Sequence, residues 1–86
     1  MDHVTTIVRQ FILSKYLPGE SAENLPDDLP LQSSGILDSL AVLGLITFLE
    51  EQFQIELDVY DTTVDRFDAI RDIAATVGRK SVPAGH

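Results

Sequence analysis

Asp38-Ser39-Leu40-Ala41-Val42-Leu43-Gly44-Leu45-Ile46-Thr47-Phe48-Leu49-Glu50-Glu51-Gln52-Phe53 is the stretch whose reading decides the fold. No proline interrupts it, and Asp38 is placed to accept a hydrogen bond from the N–H groups that a first helical turn leaves unpaired. Val42, Ile46, Leu49 and Phe53 recur at three- and four-residue steps, so the pattern predicts a helix from Ser39 to Phe53 with those four as its buried stripe. On that wheel Leu40, Gly44, Thr47 and Glu51 stack on the side away from the core, with Leu43 beside them. The two leucines either meet neighbouring segments or stay exposed. A mid-helix glycine costs about 1 kcal/mol relative to alanine, so Gly44 suggests that something approaches the backbone closely there.

Moving toward the N-terminus, Gly35-Ile36-Leu37 is preceded by Glu20 to Ser34, where Pro26, Pro30 and Asp27-Asp28 break every period and Leu25, Leu29 and Leu31 are scattered. The expectation is a long loop pinned by its leucines. Before it, Val4, Ile7, Val8, Phe11 and Ile12 mark an amphipathic helix from Val4 to Leu17, with Arg9, Gln10, Ser14 and Lys15 on its surface and Pro18-Gly19 as its stop.

Toward the C-terminus, Gln54 to Asp58 is too short and isolated for a sheet and reads as an extended linker. Asp61, Thr62 or both are expected to cap a short turn from Val64 to Phe67. Asp68 is expected to cap a last helix that carries Ile70, Ile73, Ala74 and Val77 and ends at Gly78. The predicted fold is all-α: a small four-helix bundle of three longer helices and one short third helix, with a long loop between helices 1 and 2. Its core would draw on Ile7, Phe11, Val42, Ile46, Leu49, Phe53, Ile70, Ile73 and Val77. Residues 1–80 form the one domain, and 81–86 a disordered tail.

Composition narrows the function. At 86 residues with 44% hydrophobic and 23% charged side chains, the chain reads as one folded domain rather than a disordered one. With no Cys, there are no disulfides, thiolate metal sites or cysteine nucleophiles. A net charge of −8 repels nucleic acid and anionic lipid and favours basic protein partners. No apolar run is long enough to span a bilayer and no secretory leader is visible, so a cytoplasmic monomer is expected. The acidic set Asp27, Asp28, Glu50, Glu51, Asp58, Asp61, Asp65, Asp68 and Asp72 lacks the spacing of a calcium loop and reads as a solvated surface, so no metal is assigned.

Asp38-Ser39 is the pair most able to carry chemistry. A phosphate ester on the Ser39 hydroxyl would meet unpaired backbone N–H groups and the positive end of the helix dipole, although Asp and Ser are also ordinary capping residues. A serine hydrolase is disfavoured. No Gly-x-Ser-x-Gly turn surrounds Ser39, and apart from the terminal His86 the one histidine is His3. An acidic helical interaction module using Leu40 and Leu43, with Ser39 a mere cap, is the reading from another class.

At Gly35-Ile36-Leu37-Asp38-Ser39-Leu40 the sequence resembles an acyl carrier protein, whose Asp-Ser-Leu motif bears the serine modified with 4′-phosphopantetheine. Leu49-Glu50-Glu51-Gln52-Phe53 followed by Ile55-Glu56-Leu57 is similar to the end of that family's second helix, and the likeness runs from Val4 to Val77. The resemblance implies a carrier without turnover of its own. Ser39 would be the attachment site, with Asp38 and Leu40 its motif neighbours, and the arm's thiol would hold an acyl or aminoacyl group as a thioester. The implied partners are a phosphopantetheinyl transferase, an AMP-forming acyl or aminoacyl ligase, and an acyltransferase or synthase that accepts the cargo. Leu40, Leu43, Gly44, Thr47, Glu51 and Val64 would face them. Ala41 and Gly44 stand where many fatty-acid carriers have acidic residues, so the chain looks more like free-standing carriers of polyketide or nonribosomal-peptide pathways. D-alanyl carriers and fatty-acid-synthesis carriers are the alternatives.

Overall fold

The computed structural model describes residues 2–80. The expected tail 81–86 lies outside the described residues. Four helices follow one another: α1 (Asp2–Tyr16), α2 (Ser39–Phe53), α3 (Val64–Phe67) and α4 (Ile70–Lys80), with a single 3-10 turn at Ala22–Asn24 inside the first connection. Among the described residues there is no strand. The small helical bundle with three longer helices and a short third one is thus present, as is the long first connection.

Local chemistry explains the boundaries. α1 stops at Tyr16, where Leu17 N–H still reaches back to the Ile12 and Leu13 carbonyls. Pro18 and then Gly19, at φ +90°, turn the chain away. α2 ends at Gln54 in the left-handed region (φ 55°), its amide donating to the Glu50 carbonyl while its side chain donates to the Glu51 carbonyl at 2.9 Å. The linker after it is held by the Glu50 carboxylate, which accepts from Leu57 N at 2.9 Å.

Three expected helix ends are corrected. Thr63, not Asp61 or Thr62, occupies the N-cap position of α3, and without a side-chain cap bond. Asp61 is instead buried beneath the linker. It exchanges hydrogen bonds with Asp58 at 3.0 Å in both directions, and its carboxylate lies 3.1 Å from Lys80 and 3.9 Å from Arg79. The Asp58 N–H holds the Asp61 carboxyl below the usual range, with help from Lys80 and against the push of burial. α4 continues through Gly78 to Lys80, and the two cations of its last turn, favoured there by the helix dipole, both lie against Asp61. Asp68 does not cap α4 either, because its side chain turns toward the first connection, as described below.

The core is shifted one position from the expected stripes. Val8 and Ile12 of α1, and Ala41, Leu45 and Leu49 of α2, are the buried members, joined by Phe67, Ile70, Ile73 and Val77. Ile7, Phe11, Val42, Ile46 and Phe53, expected in the core, are only partly buried. The cause is the first connection, which sends Leu25, Leu31 and Leu37 into the same core and moves its centre. α2 carries apolar residues over most of its surface, so the stripe read from the sequence is not the one that packing buries, Leu49 apart. Phe11 lies over Phe48 instead, rings stacked at 4.0 Å and 11°.

Polar ties fix the connection to the helices. Arg9, read from the sequence as surface filler, donates to the Leu25 carbonyl at 3.0 Å and forms an ion pair with Asp27. Arg71 N–H donates to the Asp27 carbonyl at 2.9 Å. The buried Thr76 hydroxyl donates to the Arg66 carbonyl at 2.9 Å, joining α4 to α3.

Candidate functional site

The segment that leads into α2 makes the site. Gly35 sits at φ +84°, a backbone region that side chains with a Cβ rarely adopt, and its N–H donates to the Gln32 carbonyl at 3.1 Å. Leu37 N–H closes back on the Leu31 carbonyl at 2.9 Å while its side chain enters the core. The chain then emerges at the surface and exposes Asp38, Ser39 and Leu40 in succession.

Asp38 is the cap that the sequence predicts. Its backbone is extended (φ −87°, ψ −177°) and its Oδ1 accepts from Ala41 N at 2.8 Å. Ser39 is therefore the first helical residue, with its hydroxyl at the positive end of a fifteen-residue helix. Leu40 follows at 78% exposed.

Two open depressions lie at the start of α2. One, about 380 Å³, runs between the Gln32–Gly35 turn and Val64, with Ser39 and Asp38 on its edge. The other, about 570 Å³, lies between the end of α1 and the start of α2, against Lys15, Tyr16, Leu40 and Gly44. It leads along α2 into a further hollow beside Phe11, Thr47, Phe48 and Glu51.

The structure therefore brings Leu40, Gly44, Thr47 and Glu51 onto one side of α2, and leaves Leu43 58% exposed and Val64 51% exposed. The open question about Leu40 and Leu43 is answered in favour of exposure. Gly44 has an internal explanation. A Cβ there would run into the Tyr16 hydroxyl, so the group that approaches the backbone is the protein's own tyrosine. Tyr16 is in turn braced edge-on against Phe11 at 5.9 Å and 82°.

Sequence reasoning missed Asp68. Its Oδ1 accepts from Gln32 N at 2.6 Å and Ser33 N at 3.1 Å, and its Oδ2 accepts from the Ser33 hydroxyl at 2.6 Å. Gln32 Nε2 adds a bond to the Phe67 carbonyl at 2.8 Å, and Leu31 N–H one to the Asp68 carbonyl at 2.8 Å. Burial pushes the Asp68 carboxyl up, but the Ser33 hydroxyl and the Ser33 and Gln32 amides outweigh it and hold the group below the usual carboxylate range. No local signal could have found this, since the partners lie 35 and 36 positions apart. Of the acidic set read as solvated, Asp27, Glu50, Asp58, Asp61 and Asp68 each have such a specific partner.

Among the described residues no group of three His, Asp or Glu side chains is arranged to hold a metal ion, and no helix is long and apolar enough to cross a membrane. Compared with known proteins, the chain matches no family model and no curated sequence.

Proposed function

We propose that the chain is a carrier protein, modified on Ser39 with 4′-phosphopantetheine and passing acyl or aminoacyl groups between biosynthetic enzymes. The observation that carries this reading is the placement of Ser39: an exposed residue at the start of the fifteen-residue α2, directly after the capping Asp38 and on the edge of an open depression. The local residues fit the group. The exposed hydroxyl is accessible to an enzyme, and the helix start favours the negative charge of a phosphodiester.

In the modification, the Ser39 oxygen attacks the β-phosphorus of coenzyme A. A phosphoester bond forms, the pyrophosphate P–O bond breaks, adenosine 3′,5′-bisphosphate leaves, and the serine proton passes to a base of the transferase. The group supplies a thiol on a flexible arm, which a chain without cysteine lacks, and so allows a thioester to be carried. What this chain's own residues do is narrower. Asp38 fixes the first turn of α2, Leu40 and Leu43 offer apolar contact to partner enzymes, and Val64 borders the depression beside Ser39.

The resemblance favours a carrier of a secondary-metabolite pathway, loaded by an AMP-forming ligase. Intact mass after incubation with coenzyme A and a broad-specificity transferase tests the reading. The parent chain should gain one phosphopantetheine and Ser39→Ala none. Subsequent incubation with ATP, candidate acids and ligases identifies the cargo. A parent that gains no mass leaves the acidic interaction module, with Leu40 and Leu43 as its contact, as the better account.

A further inference from the structure

Resting on that reading, we propose that Asp68 is a positioning residue for the modification of Ser39: from the junction of α3 and α4 it holds the Gln32–Ser33 wall of the depression on which Ser39 opens. The geometry is specific. One carboxylate takes three hydrogen bonds from two consecutive residues of the first connection, two from backbone N–H groups and one from a hydroxyl. The same two residues line the depression with Ser39, and Val64 of α3 lines its other side. Asp68 directly follows α3, so its carboxylate ties one wall to the other, beside the bonds of the Gln32 side chain to the Phe67 carbonyl and of Leu31 N–H to the Asp68 carbonyl.

Holding the wall is separable from holding the fold. Leu31 and Leu37, on either side of the turn, are buried in the core and anchor the connection without Asp68. Ser33 is exposed and Gln32 half-buried, so amides released there can be solvated by water. Loss of the carboxylate then leaves a folded bundle with a misplaced wall. A transferase docking over Ser39 would meet a displaced surface, while the hydroxyl and the helix start remain as they were.

The test is steady-state phosphopantetheinylation of the full chain by the broad-specificity transferase with coenzyme A, with the folded fraction of each variant set by circular dichroism. Asp68→Ala should raise the apparent KM for the chain roughly 5- to 10-fold and leave kcat within about twofold, the pattern of lost docking rather than lost chemistry. Asp68→Asn keeps an oxygen for the two amides and an NH2 that can donate to the Ser33 oxygen, so it should restore most of the parent KM. A merely structural role predicts no such rescue and no split between KM and kcat. If Asp68→Ala fails to fold, Ser33→Ala removes only the hydroxyl tie at an exposed position and should raise KM about twofold. A folded Asp68→Ala or Ser33→Ala chain with the parent KM overturns the role given to Asp68 while the carrier reading stands. A parent that gains no mass overturns both.

Discussion

Both sides of α2 carry leucines in sequence, and their fates are opposite. Ala41, Leu45 and Leu49 lie in the core, while Leu40 and Leu43, one turn-fraction away, stand in solvent beside Ser39. The difference teaches that hydrophobicity assigns no direction here. What buries one side is the supply of partners: Val8 and Ile12 of α1, the α4 stripe and three leucines of the first connection. At the start of the other side Asp38 caps the helix, and the turn before it is bonded to Asp68.

The largest expected effect breaks the buried side. Leu45 is fully buried, so Leu45→Ala should cost about 2–5 kcal/mol, read as a lowered urea midpoint at unchanged slope. A change no larger than that of an exposed leucine would place the core elsewhere.

Next, Asp38→Ala removes the one side-chain acceptor at the helix start and should cost about 1 kcal/mol by the same titration, while slowing modification of Ser39 because the first turn frays. An unchanged loading rate would show that the transferase does not need the turn to be formed beforehand.

Gly44 marks the boundary between the sides. On helix propensity alone Gly44→Ala should gain about 1 kcal/mol, but the new Cβ must displace the Tyr16 hydroxyl from its place against Phe11. The two effects should nearly cancel in the parent. In a Tyr16→Phe background the obstacle is gone, since the Tyr16 Cζ is at an ordinary 3.6 Å, and the gain should appear in full. Equal effects in both backgrounds would remove the contact from the account.

The smallest stability effect belongs to the exposed side. Leu43→Ala should shift the unfolding free energy by no more than about 0.5 kcal/mol. It should nevertheless weaken loading by a cognate ligase more than Glu51→Gln does, because apolar anchors dominate affinity and rim charges mainly alter the on-rate. Parity between the two variants in kcat/KM would contradict an apolar docking surface.

Local chemistry was legible from the sequence wherever it was local. The start of α2 at Asp38, the stop at Pro18-Gly19 and the α4 stripe of Ile70, Ile73 and Val77 are set by interactions or spacings within a few residues, which residue type and order encode directly. The prominence of Ser39 belongs with these. What only the tertiary structure decided is which side of a helix apolar over most of its surface turns inward, why Gly44 is tolerated beneath Tyr16, and how Asp68 and Asp61 leave their expected helix ends for partners in other segments. The physical reason is common to all three. Each depends on where a distant segment is brought by packing, and a carboxylate that can cap its own helix will turn instead to amides 35 and 36 positions away when the fold places them closer and leaves them otherwise unpaired.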